Sequence, residues 1–383
     1  MVATVQVLLM SKVFVMRNLC AIYVLCILFI SGCTAPLDLQ RRSIALSAST
    51  AHISVENEVQ TKAGEGSVAA LPYEGIPSAN NPLNVALWLS YTCGSYSHDP
   101  QMPQYLPCVT TMEYSTSKPE DVRTSAGSII TYPIETDINY SAVGDEVYCV
   151  GFYPAEDWEN PTDAEEKTSA SHIIDGSQDL MFADQMVGTY ADNFANQRFK
   201  HLLTWLKINL SAASHKAAEI WGSVESLEIV SPSANVGITF ATSIGGESSV
   251  SYDGTPVELS LDLIPDDKAL SLTVKAFSQV FCAPPAKAIK NSDGDFEYVP
   301  ASYTGSEVKG FGYIIRVKTQ NVNEKEVFIE LKDDDNVSIS ESEDAVGKLY
   351  VITLHFHDIE VVEGVCTLKQ WEDQNSDFYL SPM

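Results

Sequence analysis

Near the middle of the chain runs Phe199-Lys200-His201-Leu202-Leu203-Thr204-Trp205-Leu206-Lys207-Ile208-Asn209-Leu210, a stretch with two competing periods. Phe199, His201, Leu203 and Trp205 recur at every second residue, as one face of a strand does. Leu202, Leu206 and Leu210 recur at every fourth, as one face of a helix does. The stretch is read as a strand buried on both faces, in keeping with the period of two that dominates its surroundings.

Outward from it, Val85, Leu87, Leu89 and Tyr91 alternate within Asn84–Thr92, and Ile44, Leu46 and Ala48 do so nearer the N-terminus, with Ile53, Val55 and Val59 following after a break. Further strand-like runs are Val147–Tyr153, Ile238–Ala241, Val257–Leu263, Phe311–Val317, Glu326–Leu331, Leu349–His357 and Val365–Trp371. Each is bounded by Gly, Pro, Asn, Asp or Ser, the residues that end strands and make turns. Helical signals are confined to Ala213–Trp221 and Asp163–Ser171. The pattern predicts an all-β protein built of β-sandwiches. The polar, aperiodic segment Gly188–Gln197 places an expected boundary near residue 195, between sandwich domains at 63–195 and 196–383.

The N-terminal part has a different character. Residues 1–33 hold Lys12 and Arg17 and no acidic residue, and an apolar run from Leu19 to Ile30 follows. About a dozen apolar residues suit the h-region of a secretory signal better than a membrane span. Met16-Arg17-Asn18 makes Met16 the expected start, because it places a basic residue directly before the run. Ile30-Ser31-Gly32-Cys33 resembles the lipobox of bacterial lipoproteins, in which small residues admit the peptidase and the thiol accepts a lipid. Cys33 is therefore the expected lipidation site, and the lipid an attachment to the outer membrane rather than a span. Residues 34–62 read as a strand at 43–60 ending in a basic residue, and a Gly-, Ser-, Pro- and Asn-rich tract leads on to Pro82.

Net charge is −28 over 383 residues, and since the leader contributes only its two cations, the remainder carries more negative charge still. Such a chain is repelled by phosphate backbones, which argues against nucleic-acid partners. Of the eight cysteines, Cys20, Cys26 and Cys33 lie in the leader. Cys93 and Cys108 flank a Ser-, Pro- and Tyr-rich loop and are the expected pair if one disulfide forms, whereas Cys149 and Cys366 fall within strands and read as small core residues. No Cys/His spacing of the zinc type occurs.

Three groups of residues together resemble the fimbrillin-like family, lipoprotein precursors of surface fimbriae in Bacteroides-type bacteria. The first is the order of lipobox, alternating strand, Lys62-Ala63 and loose tract. The second is Asp179-Leu180-Met181-Phe182-Ala183, followed by Phe199-Lys200-His201-Leu202-Leu203-Thr204-Trp205-Leu206-Lys207-Ile208. The third is Gly347-Lys348-Leu349-Tyr350 with Thr367-Leu368-Lys369-Gln370-Trp371, where Gln370 replaces the usual Pro. The resemblance implies two transthyretin-like β-sandwiches in tandem. It also implies proteolytic removal of the first strand and assembly by strand exchange, in which another fimbrial subunit fills the vacated groove. On that scheme the cut falls between Lys62 and Ala63, although the family's protease cuts after Arg.

The remaining polar and aromatic candidates each have a plainer reading. His201 has neither a nucleophile elbow nor a paired acid by spacing, so a packed, hydrogen-bonded histidine is expected. His355 and His357 share one strand face, with Asp358 nearby, and read as solvent-facing rather than metal-binding. Asp293-Gly294-Asp295, Asp266-Asp267 and Asp333-Asp334-Asp335 lack EF-hand spacing and read as solvated turns. Tyr91, Tyr96, Tyr105 and Tyr114 are the basis of an alternative, a surface lipoprotein that binds a host protein or glycan, against the reading that they cover their own core. No enzymatic constellation, metal or cofactor is expected. The expected function is a structural or adhesive fimbrial subunit.

Overall fold

A computed structural model describes residues 46–50, 83–96, 108–112, 130–134, 146–158, 168–192, 194, 196–261, 269–333, 336–358 and 362–369. The fold is all-β, with the strands gathered into four sheets. A seven-stranded sheet runs, in spatial order, β3 (Cys108–Met112), β2 (Leu83–Ser90), β5 (Glu146–Tyr153), β7 (Met181–Thr189), β8 (Asn196–His201), β1 (Leu46–Thr50) and β4 (Ile130–Ile134). Against it lies a three-stranded sheet of β12 (Ser249–Asp253), β11 (Asn235–Thr239) and β6 (Ser169–Ile173). A four-stranded sheet of β14 (Lys275–Cys282), β9 (Thr204–Ala212), β19 (Leu349–Phe356) and β20 (Val362–Lys369) forms one layer of a second sandwich. Its other layer is β13 (Val257–Ser260), β10 (Val224–Ser231), β17 (Phe311–Thr319), β15 (Ala286–Lys290) and β16 (Phe296–Val299), with β18 (Lys325–Glu330) also on β17.

The continuous apolar run of β5 follows from burial on both faces of the seven-stranded sheet. Val150 and Phe152 point into the layer shared with the three-stranded sheet, and Val147, Cys149 and Tyr153 into a separate cluster on the opposite face. β2 divides the same way, with Ala86 and Trp88 on one side and Val85, Leu87 and Leu89 on the other. The shared layer is aromatic. Phe152 lies 4.6 Å from Trp88 and 5.5 Å from Phe182 between ring centroids, and Tyr96 meets Phe240 edge-on at 5.1 Å. Such tilted and edge contacts add about 1 kcal/mol each beyond the area buried.

In the second sandwich the even-numbered residues Leu206, Ile208 and Leu210 of β9 pack with Tyr350, Ile352 and Leu354 of β19 against Leu227, Ile229, Tyr313 and Ile315. β17 pairs with β18 along one edge, while β10 and β15 share the other: Gly312 has Glu330 on one side and Ala286 on the other, whereas Ile314 is matched with Phe328 and Val230. The single α-helix among the described residues, α1 (His215–Trp221), buries Ala217 and Trp221 in the same core. Ser214 Oγ accepts the Ala217 N–H at 2.9 Å as its N-cap, and Trp221 Nε1 donates to the His357 carbonyl at 2.8 Å.

Several expectations shift. The stretch 199–210 is two strands in two sheets, joined through Leu202-Leu203. Both of those residues are buried in the aromatic layer. The Leu202 N–H donates to Leu180 O at 2.8 Å, and Leu203 O accepts the Gly347 N–H at 2.9 Å. Only the second half is apolar on both faces, with Trp205 in the aromatic layer and Leu206, Ile208 and Leu210 in the second sandwich; in the first half Phe199 and His201 are buried while Lys200 is exposed. The boundary expected at 195 is crossed in the same way: β8 lies beyond it yet belongs to the first sheet, and β11 and β12 complete the sheet begun by β6. The described residues accordingly form one compact unit. Of the helix expected at Asp163–Ser171, the described part is strand instead, because Ser169, Ala170 and Ser171 pair with Thr239, Ile238 and Gly237. Cys93 carries a free thiol and is not bridged to Cys108; its Sγ lies 3.0 Å from Gln185 Nε2.

Candidate functional site: the slot of the first strand

β1 lies inside the seven-stranded sheet, with a ladder along each edge. On one side it runs parallel to β8, from Ser47 beside Asn196 to Thr50 beside Phe199. On the other it runs antiparallel to β4, from Leu46 opposite Ile134 to Thr50 opposite Ile130. Pro133, which has no N–H to give, is accommodated in β4 because that strand ends the sheet. Of the run expected at 43–60, residues 46–50 are described as strand. Cys33, Lys62 and Ala63 lie outside the described residues.

β8 passes from one partner to the next. Its N-terminal half pairs with β1, and Phe199–His201 pair with Ala183, Phe182 and Met181 of β7. Phe199 is the shared residue and is fully buried. Its ring occupies space left open by Gly151 of β5, where a Cβ would sit 2.6 Å from the Phe199 Cζ. Glycine at 151 is thus what lets β8 lie close to the sheet.

At the end of β8 the second and third motif groups come together. His201 Nδ1 lies 2.6 Å from Asp179 Oδ2, both side chains buried. Burial raises the Asp179 pKa above the ordinary carboxylate value, opposed by the charge and hydrogen bond of His201. The second carboxylate oxygen, Oδ1, is buried with no hydrogen-bond partner among the described residues. Gly347, at φ 69, packs over His201, where a Cβ would sit 3.4 Å from the His201 Cβ. The Trp205 N–H donates to Lys348 O at 3.0 Å, and Thr204 Oγ1 donates to Ala345 O at 3.1 Å. Asp179, His201 and Gly347 therefore form one packed junction where β8 gives way to β9. His201 is the packed, hydrogen-bonded residue its surroundings suggested. Asp179 is the buried acid that spacing alone did not pair with it.

The other candidates fall elsewhere. His355 Nδ1 lies 2.6 Å from Ser211 Oγ, and His357 Nε2 lies 3.3 Å from Glu363; both imidazoles are half-buried on the outer face of the four-stranded sheet rather than open to solvent. Among the described residues no three His, Cys, Asp or Glu side chains converge as metal ligands would. The Asp293–Asp295 turn is closed by Asn291, whose Oδ1 accepts both of their backbone N–H groups, and Asp333 Oδ1 accepts the Val337 N–H at 2.8 Å. Tyr96 is buried and Tyr91 packs against the outer cluster, so these two serve the core; Tyr105 and Tyr114, like Asp266 and Asp267, lie outside the described residues. Sequence reasoning passed over Gln185, whose Oε1 accepts from the Gly94 N–H at 2.7 Å and the Tyr96 hydroxyl at 3.0 Å. Its one signal was the polar pair Asp184-Gln185 in the middle of a largely apolar strand.

Solved structures similar to this chain include a candidate cell adhesion protein of Bacteroides uniformis, at 12% identity and a TM-score of 0.44, covering 85% of this chain and 98% of that one. A second, from Bacteroides ovatus, has 13% identity, a TM-score of 0.42 and coverage of 86% and 98%. The tip fimbrial protein Mfa3 of Porphyromonas gingivalis, with C-terminal truncation, has 7% identity, a TM-score of 0.32 and coverage of 76% and 94%. Among curated proteins the sequence finds no match. The fimbrillin-like family profile matches residues 107–371, a span that takes in the second sandwich, the first apart from β1 and β2, and the junction at His201. The chain belongs to the fimbrillin-like family.

Proposed function

We propose that this chain is a fimbrial subunit exported as a lipoprotein on Cys33, cut between Lys62 and Ala63, and assembled by exchange of its first strand. Family membership carries the coarser part, a structural or adhesive protein of the cell surface rather than an enzyme. The observation that supports the finer part is the position of β1. It is an interior strand joined to the rest of the chain by a segment containing Lys62, and it is laddered on both edges. A cut after Lys62 severs the covalent link without touching either ladder. Once β1 leaves, the backbone groups of β8 and β4 that faced it have no partner, and a strand from another subunit restores them.

Whether the subunit forms stalk, tip or anchor is a matter of what its own strand and slot engage, and the mature N-terminus decides the first step. Intact mass of material sheared from cells should give a chain beginning at Ala63 within oligomers that resist dissociation. Sheared oligomers whose subunits still carry lipid on Cys33 would overturn the reading.

A further inference from the structure

β4 has a ladder with β1 and no other ladder among the described strands; it comes near β3 without pairing to it. Every other strand of the sheet except the far edge, β3, has two paired neighbours. We infer that β1 is the strand that holds β4 in the sheet, so that its removal opens two edges at once and the strand of a second copy has to recapture β4 as well as β8.

The inference rests on the strand exchange proposed above and adds a step to it. β4 is five residues long and contains Pro133, so it has little backbone pairing of its own to offer any other partner. A strand of that length has no independent stability in water. Its five pairs with β1, from Leu46–Ile134 to Thr50–Ile130, are what fix its place. β8 is held differently, because Phe199, Lys200 and His201 remain paired to β7 whether or not β1 is present. The two walls of the slot are thus unequal: one is anchored, and the other depends on the occupant.

A second consequence concerns direction. Since β1 is parallel to β8 and antiparallel to β4, those two walls run antiparallel to each other. A strand inserted either way round again makes one parallel and one antiparallel ladder, so the backbone does not choose its direction. The same relation lets β4 close directly onto β8 as an antiparallel pair, which would abolish the slot. An occupant must therefore arrive while β4 is detached.

The test is hydrogen exchange on the full chain carrying a specific protease site at Lys62, before cutting, after cutting and removal of the N-terminal segment, and after adding a synthetic peptide of residues 43–60. The amides of β4, at Ile130, Thr131, Tyr132 and Ile134, that face β1 should exchange about tenfold faster or more once the segment is removed, and should slow again with the peptide, while those of Glu146–Tyr153 stay unchanged. Ala48→Pro in the uncut chain guards against general unfolding, and should speed exchange in β4 with β5 still protected. Protection of β4 that persists without β1, including protection gained by closing onto β8, would overturn the inference. A stripped chain that exposes β4 yet never forms resistant oligomers keeps the dependence of β4 on β1 but sinks the assembly reading, and with it the recapture step. Oligomers that form with β4 protected throughout sink the inference alone.

Discussion

His201 Nδ1 and Asp179 Oδ2, 2.6 Å apart and both buried, join the end of β8 to the residue that precedes β7 by two positions. This contact sits where the chain leaves one sheet for another, so its loss is felt by both. Removing one member of a buried pair leaves the other's polar group stranded, which typically costs about 3–5 kcal/mol. His201→Ala should therefore lower stability by an amount in that range, and Asp179→Asn by clearly less, because an amide can still hydrogen-bond the imidazole. Urea melts of the two variants against wild type measure the difference; equal and small losses would show that the junction is held by packing alone.

The same carboxyl has a defined pH signature. Burial, its largest influence, raises the Asp179 pKa above 3.8 in the folded chain. A raised carboxyl pKa contributes stability that is present below the ordinary value and is lost as pH rises through the folded one. Asp179→Asn does not ionise, so its stability relative to wild type should improve between acid and neutral pH. Paired thermal melts across that interval check the sign, and a flat difference would contradict it.

Gly151→Ala places a methyl group against the Phe199 ring, 2.6 Å from Cζ. Overpacking of this kind typically costs about 1–3 kcal/mol. Because Phe199 carries β8, and β8 carries β1, the variant should also loosen the first strand. Combining it with Phe199→Leu should return part of the stability, measured as the denaturant midpoint of single and double variants.

Lys207, on the outer face of β9 with Nζ 4.8 Å from the Trp205 ring centre, has its pKa lowered by burial to about 8 from 10.5. The folded chain therefore disfavours the charged amine. That penalty is in force below the folded value and disappears as pH rises toward the unfolded one. Wild type should gain stability relative to Lys207→Met between about pH 8 and 10.5. Melts at the two ends of that window test it, and a constant gap would place the amine in water.

Gln185 ties the Cys93-Gly94 turn and Tyr96 to β7 through three contacts, with Cys93 Sγ, the Gly94 N–H and the Tyr96 hydroxyl. Gln185→Leu should cost about 1–3 kcal/mol through the stranded Gly94 N–H and Tyr96 hydroxyl. Tyr96→Phe should cost less, since it removes a polar group instead of stranding one. Calorimetric midpoints in that order support the arrangement, and the reverse order counts against it.

The strands were legible wherever each side chain contributed to the alternation. Val147–Tyr153 and Phe311–Val317 read directly, and the observed strands extend one residue earlier in the first and two residues later in the second. β20 begins at Val362, three residues before the expected start, because Gly364 occupies an inward position without displaying a side chain; a Cβ there would collide with Ile329 Cδ1. The helix α1 was legible from Ala213–Trp221, and its Ser214 cap sits one residue inside the expected start. The junction was not. Asp179 and His201 are separated by β7 and its return, and only the pairing of Met181 with His201 brings them within reach. Nor did a period of two reveal that Leu202-Leu203 changes sheets, since the residues from His201 to Leu206 are all buried and hide the shift of the inward positions from odd to even numbers. Of the first strand's surroundings, the strand at 46–50 was legible, but its two neighbours are set by pairings between residues far apart in the chain.

β6 ends at Ile173, and the strand that completes its sheet, β11, begins at Asn235. A chain made from its N-terminus has Trp88, Phe152 and Phe182 in place well before Val236, Ile238 and Phe240 exist to cover them. About sixty residues of further synthesis separate the two events, and contacts this distant along the chain are slow to form. The first sandwich is therefore a late product of a chain that starts building it early. Until then the aromatic layer lies open on one side, and exposed apolar surface of that kind is where partly folded chains aggregate.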